Sequence, residues 1–403
     1  MPAAKEELHL TVGDREVIIT SPDKLLIPEA RVRKRDLVDY YLAVAEGALR
    51  GAGGRPCVLV RYPNGIAEDF FFQKRAPEKR PDWLEVAQIR FPSGRSAEEV
   101  VPRHASDLAW MANLACLELH PHPVRAEDLD HPDELRVDLD PVPGIEWPQI
   151  VEVAKVAHSV LADLGLVGWP KTSGSRGIHV LVRIQPRWTF DEVRRAALAL
   201  AREIERRAPQ LATSKWWKEE RHGVFVDYNQ NAKDRTVASA YSVRAKPDAR
   251  VSAPVRWDEL DACNPADFTL WTVPRRFLQV GDPHAAIDEQ PQSLEPLLAL
   301  AESHGEGDAP WPPHYRKGAG EPRRAPPSKK PLVEVARAQR EAEAIAAAED
   351  WKAKHPKAAA HLQPADVLVD KMRGSSSVSY RVRINLEHVP ARLRPKADKP
   401  AST

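Results

Sequence analysis

The chain has 403 residues, 42% of them apolar and 29% charged, with a net charge of only +1, the profile of a globular protein long enough for two or three domains. No apolar run approaches membrane-spanning length, the N-terminus MPAAKEELHL has no apolar signal core, and the three cysteines lack CxxC spacing, which excludes a cysteine-rich zinc site and argues against a disulfide framework. The expected setting is a reduced cytoplasm with no membrane contact, and the charge is uneven: residues 311–403 hold 19 Lys and Arg against 10 Asp and Glu, a basic tail that suits a polyanion or a solvated face almost equally.

In chain order, SPDKLLIPEARVRKRDLVDYY (21–41) puts Lys24 before an apolar turn and Lys34 at the start of a helix expected over 34–50. A strand follows near 57–62. RYPNGIAEDFFFQK (61–74) sets three phenylalanines beside Lys74, the composition of a platform on which unpaired bases stack. Three consecutive Phe in a strand cannot all face water, so at least one belongs to the core. A helix over 104–113 and a strand over 114–120 lead to His120 in ELHPH. A lone histidine at a strand end is more often a satisfied structural residue than a ligand.

The centre reads strand 135–140, helix 148–165, strand 167–171, a glycine-rich turn, strand 178–184, helix 189–207 and strand 224–228. This is the split βαβ order of ferredoxin-like folds, which buries one sheet face under two helices and leaves the other free for a site. Asp138 and Asp140 in RVDLDP share one face of the first strand, and Asp227 ends the last. Side-by-side carboxylates repel unless they seat a divalent cation or share a proton. DxD alone also suits idle turn acids; a third Asp at the matching strand end favours metal. In KTSGSRGIHVLV (171–182), Gly174 and Gly177 let backbone N–H groups approach an anion, with Ser173, Ser175, Arg176 and His179 as further donors. The same residues suit a tight hairpin with a structural histidine, and the P-loop pattern GxxxxGK[ST] is absent. Beyond Asp227, a stretch dense in Arg, Lys, Asn and Gln carries Arg244 on an expected strand, as a fork toward phosphate or part of a solvated hairpin.

The Pro- and charge-rich stretch 308–331 reads as a linker. It divides the chain into a main unit over 1–307 and a basic C-terminal extension over 332–403. In the extension an Ala-rich helix is expected over 332–355, with a stripe of Leu332, Val335, Ala338, Ala342 and Ile345. SVSYRVRIN (377–385) alternates as a half-buried strand with Arg381 and Arg383 on its outer face.

Nine segments in order, SPDKLLIPE, RYPNG…FFQK, LELHP, RVDLDP, TSGSRGIHV, VFVDYNQN, YSVRA, NPADFTLWTVPRRF and GDPHAAIDEQPQSLEPLL, resemble the archaeo-eukaryotic primase superfamily, and within it the polymerase domain of bacterial ligase D. The resemblance implies a primase-polymerase fold: α/β, with a split βαβ (RRM-like) catalytic sheet and an N-terminal αβ subdomain. It implies that Asp138, Asp140 and Asp227 are catalytic and hold two divalent cations, Mn²⁺ or Mg²⁺. Ser173, Arg176, His179 and Arg244, with His120 and Gln230 nearby, would bind the incoming NTP or dNTP. Lys24 and Lys34 match the pair that grips a DNA 5′-phosphate at a gap or break, and Phe71 and Phe72 the aromatics that stack on the template. The chain departs from the family at Arg176, often Lys; at Ser21, where an Asn is usual; and at Val60, where a Lys is expected. Arg176 keeps the charge and adds a fork.

Nothing resembles a ligase KxDG site or a nuclease module. The resemblance therefore implies a stand-alone, monomeric primase-polymerase, tolerant of ribonucleotides, acting in gap filling or end joining. Its expected partners are gapped or broken DNA, an ATP-dependent DNA ligase such as ligase C, and an end-binding protein, in the nucleoid-associated cytoplasm. Two other readings use the same residues: a metal-dependent phosphoesterase or nuclease, and a non-catalytic DNA-end-binding adaptor working through the basic tail.

Overall fold

The computed structural model describes residues 6–91, 94–305, 328–373, 378–395 and 401–402. Two hairpins begin the chain, β1 (Glu7–Val12) with β2 (Arg15–Thr20) and β3 (Leu25–Ile27) with β4 (Val32–Arg33). The helix expected over 34–50 is two helices, α1 (Lys34–Ala43) and α2 (Ala45–Ala52), parted at the fully buried, non-helical Val44. Strands β5 (Cys57–Arg61), β6 (Phe71–Gln73), β7 (Glu85–Arg90) and β8 (Ser96–Val101), helix α3 (Ala105–Asn113) and strand β9 (Cys116–Pro121) complete the N-terminal half. Its sheet runs β6-β5-β8-β7, with β9 also paired to β5.

The centre forms the expected order: β10 (Glu134–Pro141), α4 (Trp147–Asp163), β11 (Trp169–Thr172), β12 (Ile178–Arg183), α5 (Phe190–Arg207), the short β13 (Ala212–Thr213) and β14 (Val224–Val226). The sheet order is β11-β12-β10-β14-β13, antiparallel from β11 to β14. First and last strands of the split βαβ unit are therefore neighbours. The period of two explains the layering. Leu135, Val137, Leu139, Ile178, Val180, Val182, Val224 and Val226 all join one core with the inner faces of α4 and α5. Each such buried Val, Leu or Ile contributes about 1.5–3 kcal/mol. Helix α5 starts at a capping box, with Glu192 accepting from Thr189 N at 2.8 Å.

The alternate residues Glu134, Arg136, Asp138 and Asp140 point to the helix-free face. The N-terminal half closes that face at its Glu134 end, where Arg55 pairs with Asp133 at 2.5 Å and Arg136 donates to Pro121 O at 3.0 Å. The Asp140 end stays exposed. Helices α6 (Val273–Val280) and α7 (Glu295–His304) follow, and Leu294 and Leu297 pack into the central core.

The extension is a second, smaller layered unit: β15 (Leu332–Ala338), α8 (Glu341–Lys354), α9 (Pro356–Ala359), β16 (Val367–Arg373), β17 (Val378–Asn385) and β18 (Ala401–Ser402), in sheet order β16-β17-β15-β18. The helix expected over 332–355 is thus a strand followed by a helix. The β-branched Val333 and Val335 favour the strand, and β15 pairs with β17 along its length. The expected stripe dissolves with it: Ile345 is 51% exposed, and Ala344, Ala348 and Trp351 face the sheet instead. Strand β17 matches expectation, with Tyr380, Val382 and Ile384 in the core. The proposed linker over 308–331 lies outside the described residues except for its last four. Among the described residues no helix is long and apolar enough to cross a membrane, and Cys57, Cys116 and Cys263 are free.

Candidate active site

Pairing of β10 with β14 brings the three acids to one corner. Asp140 lies opposite Phe225, and Asp227 N donates to Asp138 O at 2.8 Å. Burial first, then Asp140 and Asp227, pushes the Asp138 carboxyl well above the usual carboxylate range. Asp140 stands at the mouth. Its carboxyl is also raised, by the protein packed round it and by Asp227, against the pull of Arg221 and Arg176. Asp227 is turned onto its own chain: Oδ1 accepts from Asn229 N and Oδ2 from Gln230 Nε2, both at 3.0 Å. Among the described residues no three His, Cys, Asp or Glu side chains are drawn together tightly enough to hold a metal ion as they stand. The donor set, three carboxylates and no sulfur or imidazole, fits a hard divalent cation.

His179 faces Asp138 across the β10–β12 pair, with Nε2 at 3.4 Å from Oδ1. Its Nδ1 is hydrogen-bonded to Nζ of the fully buried Lys171 at 2.8 Å. Burial, with Lys171 and Arg244 adding repulsion, holds the imidazole neutral, well below its usual range. Lys171 also donates to Ala238 O at 2.8 Å and Ser252 Oγ at 2.6 Å, and burial, with Arg244 adding repulsion, holds its pKa well below the usual lysine range.

Glu118 organises the other flank. Its Oε2 accepts from His120 Nε2 at 2.9 Å and pairs with Arg244 Nε at 3.3 Å, and its Oε1 accepts from Ala245 N at 3.1 Å. Burial opposes ionisation of Glu118, but Arg244 and His120 outweigh it and bring its pKa down to about 2. Arg244 in turn donates Nη1 to Ser173 O at 2.7 Å. The turn beside it is a tight hairpin: Ser173 Oγ accepts from Ser175 N and Gly177 N at 3.2 and 3.1 Å. Its glycines answer to packing. A Cβ on Gly177 would stand 2.2 Å from Leu139 O, and one on Gly174, at φ +67, 2.5 Å from Arg244 Cγ. Arg176 is exposed and donates Nη2 to Pro141 O at 3.2 Å.

Sequence reasoning missed Glu118, Lys171, Lys218 and Arg221. Arg221 lies over the Phe225 ring at 3.4 Å, beside the acids that attract it. A signal for Glu118 existed, since it shares a strand face with His120 two residues on. The contacts of Lys171 with residues 238 and 252 had none.

The outer residues divide. Phe71 is 44% exposed under the Arg61 guanidinium, at 5.2 Å. Phe72 turns to the opposite side, edge-on to His120 at 6.3 Å, and Phe70 stacks on Tyr62 at 5.0 Å. Lys74 pairs with Asp234 at 2.5 Å and stands 4.2 Å over the Phe91 ring. The β3–β4 hairpin brings Lys24 and Lys34 together, with Lys34 N on Lys24 O at 2.9 Å. Their side chains part: Lys24 is exposed and donates to Asn64 Oδ1 at 3.0 Å, whereas Lys34 is buried and donates to Thr20 O at 2.5 Å. Ser21 adopts φ 51, a backbone region in which Asn is the favoured non-glycine residue.

Residues 33–284 match the family described as LigD, primase-polymerase domain. The chain is 35% identical over 288 residues to a multifunctional non-homologous end joining protein LigD of Mycolicibacterium smegmatis, a match covering 71% of this chain and 36% of that protein. It is 31% identical over 284 residues to a bifunctional non-homologous end joining protein LigD of Bacillus subtilis, covering 70% and 45%. The chain thus spans less than half the length of these relatives. Among solved structures it is similar to the polymerase domain from Mycobacterium tuberculosis ligase D in complex with DNA. That match has 34% identity and a TM-score of 0.64, and covers 68% of this chain and 99% of that one.

Proposed function

The chain belongs to the LigD primase-polymerase domain family, and on that premise we propose that it is a template-directed nucleotidyltransferase extending primer 3′ ends at DNA gaps or breaks during repair. The observation that carries the reading is the corner where Asp138 and Asp227 meet across adjacent strands, on a sheet face that also presents neutral His179 and is flanked by Arg244 and Arg176. In this reaction a primer hydroxyl attacks an α-phosphate and pyrophosphate leaves, with no protein nucleophile. Asp138, Asp140 and Asp227 would hold one or two divalent cations, Mn²⁺ or Mg²⁺, which when bound polarise the hydroxyl and phosphate oxygens. Arg176 and Arg244 face the triphosphate, Arg244 aimed by Glu118, and act where negative charge grows. His179, held in place by Lys171, turns its Nε2 toward Asp138 and the triphosphate seat. Ser173, His120 and Gln230 line the same seat, Phe71 receives the template and Lys24 the downstream 5′-phosphate. Tolerance for ribonucleotides and cooperation with a ligase and an end-binding protein belong to the same proposal, as does the division into a catalytic unit over 1–307 and an appended unit over 332–403.

Primer extension on a gapped duplex, with each metal and each nucleotide type, tests the reading. Asp138→Ala or Asp227→Ala abolishes extension and leaves duplex binding largely intact. Extension near the wild-type rate by either variant overturns it. Degradation of the duplex without added nucleotides would indicate a phosphoesterase instead.

A further inference from the structure

The C-terminal unit lies beyond the residues that match the family, and the similar solved structure is covered almost entirely by 68% of this chain. Yet it meets the body around the acid corner. Lys218, in the short turn Lys218–Glu220 that precedes β14, donates to Val369 O at 3.2 Å and pairs with Asp370 at 3.3 Å. Glu219 of the same turn pairs with Arg383 at 3.2 Å. Asp370 also holds Arg383 at 2.7 Å and Arg381 at 3.2 Å. Pro364 abuts Gly144, in the loop that leaves the DxD strand, where a Cβ would come within 3.2 Å of it. Lys371 stands 4.8 Å over the Phe70 ring, next to the exposed Phe71. The turn so gripped leads straight into Arg221, whose guanidinium covers Phe225, the residue opposite Asp140.

We propose that the C-terminal sheet is a positioning element of the active site: Asp370 and Arg383 pin the Lys218–Arg221 turn, and Asp370 holds the Lys218 ammonium away from the acid trio so that it does not compete with a divalent cation. The geometry supports this over a passive appendage because both residues of the turn that face the extension are ion-paired to it, on the face of β16 and β17 opposite their own core. Lys218 is also among the cations that pull on Asp140, so it lies within electrostatic reach of the trio. The inference rests on the trio being the cation site of the proposed polymerase.

The test measures Mn²⁺ binding to the full-length protein, without nucleotide or DNA, by electron paramagnetic resonance of free Mn²⁺. Asp370→Asn weakens binding about threefold to fivefold, the scale of one partly exposed ion pair, and Asp370→Glu restores it. Lys218→Met, which removes the competing charge, leaves binding at the wild-type level and suppresses the loss caused by Asp370→Asn in the double variant. Wild-type affinity in a folded Asp370→Asn, or a loss that persists in the double variant, overturns the inference. Should Asp370→Asn fail to fold, Glu219→Gln, which cuts the pin to Arg383 from the side of the turn, takes its place, and unchanged affinity there overturns it. Asp138→Asn separates the two readings. If it abolishes Mn²⁺ binding while the Lys218 and Asp370 variants change nothing, the positioning role falls and the polymerase site stands. If it leaves Mn²⁺ binding intact, the site assignment itself falls.

Discussion

The central and C-terminal sheets are built alike, yet their charged faces differ. Each packs apolar alternate residues under helices and turns its charges to the other side. At the Asp140 end of the central sheet burial and the crowding of three acids outweigh the pull of Arg221, Arg176 and Lys218, so Asp138 and Asp140 are driven toward protonation. On the C-terminal sheet Asp370 sits among Lys218, Arg381 and Arg383. Burial works against its ionisation, but Arg383 leads the cations that pull its carboxyl below the usual range. Like-charge crowding that the fold leaves unrelieved points to something outside the chain; neutralised crowding marks a seam between parts of the chain. The basic face of β17 is such a seam, because Arg381 and Arg383 pair with Asp370 and Glu219 within the chain.

That contrast can be broken most directly by neutralising one acid in each sheet. Asp138→Asn is expected to eliminate primer extension and yet stabilise the metal-free protein by about 1–2 kcal/mol, raising its melting temperature, because it removes a buried, repelled carboxylate. Asp370→Asn is expected to lower stability by about 3 kcal/mol, since it leaves three cations without their shared partner. Thermal denaturation in EDTA at neutral pH checks both. If both variants shift the melting temperature in the same direction, the two faces are not distinguished by unrelieved charge.

A smaller effect sharpens the comparison within the central site. Glu118 is a relieved acid beside the crowded ones. Its folded pKa, about 2, is below the unfolded value, so its stabilisation is present above the unfolded carboxylate range and is lost as pH falls toward 2. Glu118→Gln should therefore flatten the acid limb of the stability curve between about pH 4.5 and 2, removing about 2–3 kcal/mol of the difference. It should also raise the KM for nucleotide, by loosening Arg244. An acid limb with unaltered slope in the variant argues against the pairing.

What could be read from the sequence follows the range of the contacts. The sheet order was legible because period-two and helical patterns alternate cleanly from Leu135 to Val226, and one topology rule makes β10 and β14 neighbours. The acid corner came with it. The strand at 332–338 was not legible, because its partner β17 lies more than forty residues away while its alanines suit a helix. Lys171 and Glu118 were missed for the same reason: Ser252, Ala238, Arg244 and Ala245 reach them only through the tertiary fold. Spacing can nominate side chains that touch a ligand; the groups that aim those side chains are found only in space.

The lysine pair shows how far adjacency falls short of shared work, and it yields the smallest expected effects. Lys24 and Lys34 are neighbours through their backbones, but only Lys24 presents its ammonium to solvent. A phosphate contact releases counterions, so loss of one lowers the log–log salt slope of duplex binding by about 0.9. Lys24→Ala is therefore expected to flatten the slope by about that amount, to remove any preference for a 5′-phosphorylated gap, and to leave stability within about 0.5 kcal/mol. Lys34→Met removes an ammonium that donates to Thr20 O and leaves that half-buried carbonyl short of a donor, at a cost of about 1 kcal/mol, while the salt slope stays as in the wild type. A lowered slope in Lys34→Met would show that this lysine leaves its buried site when DNA arrives, and the pair would then act together at the phosphate after all.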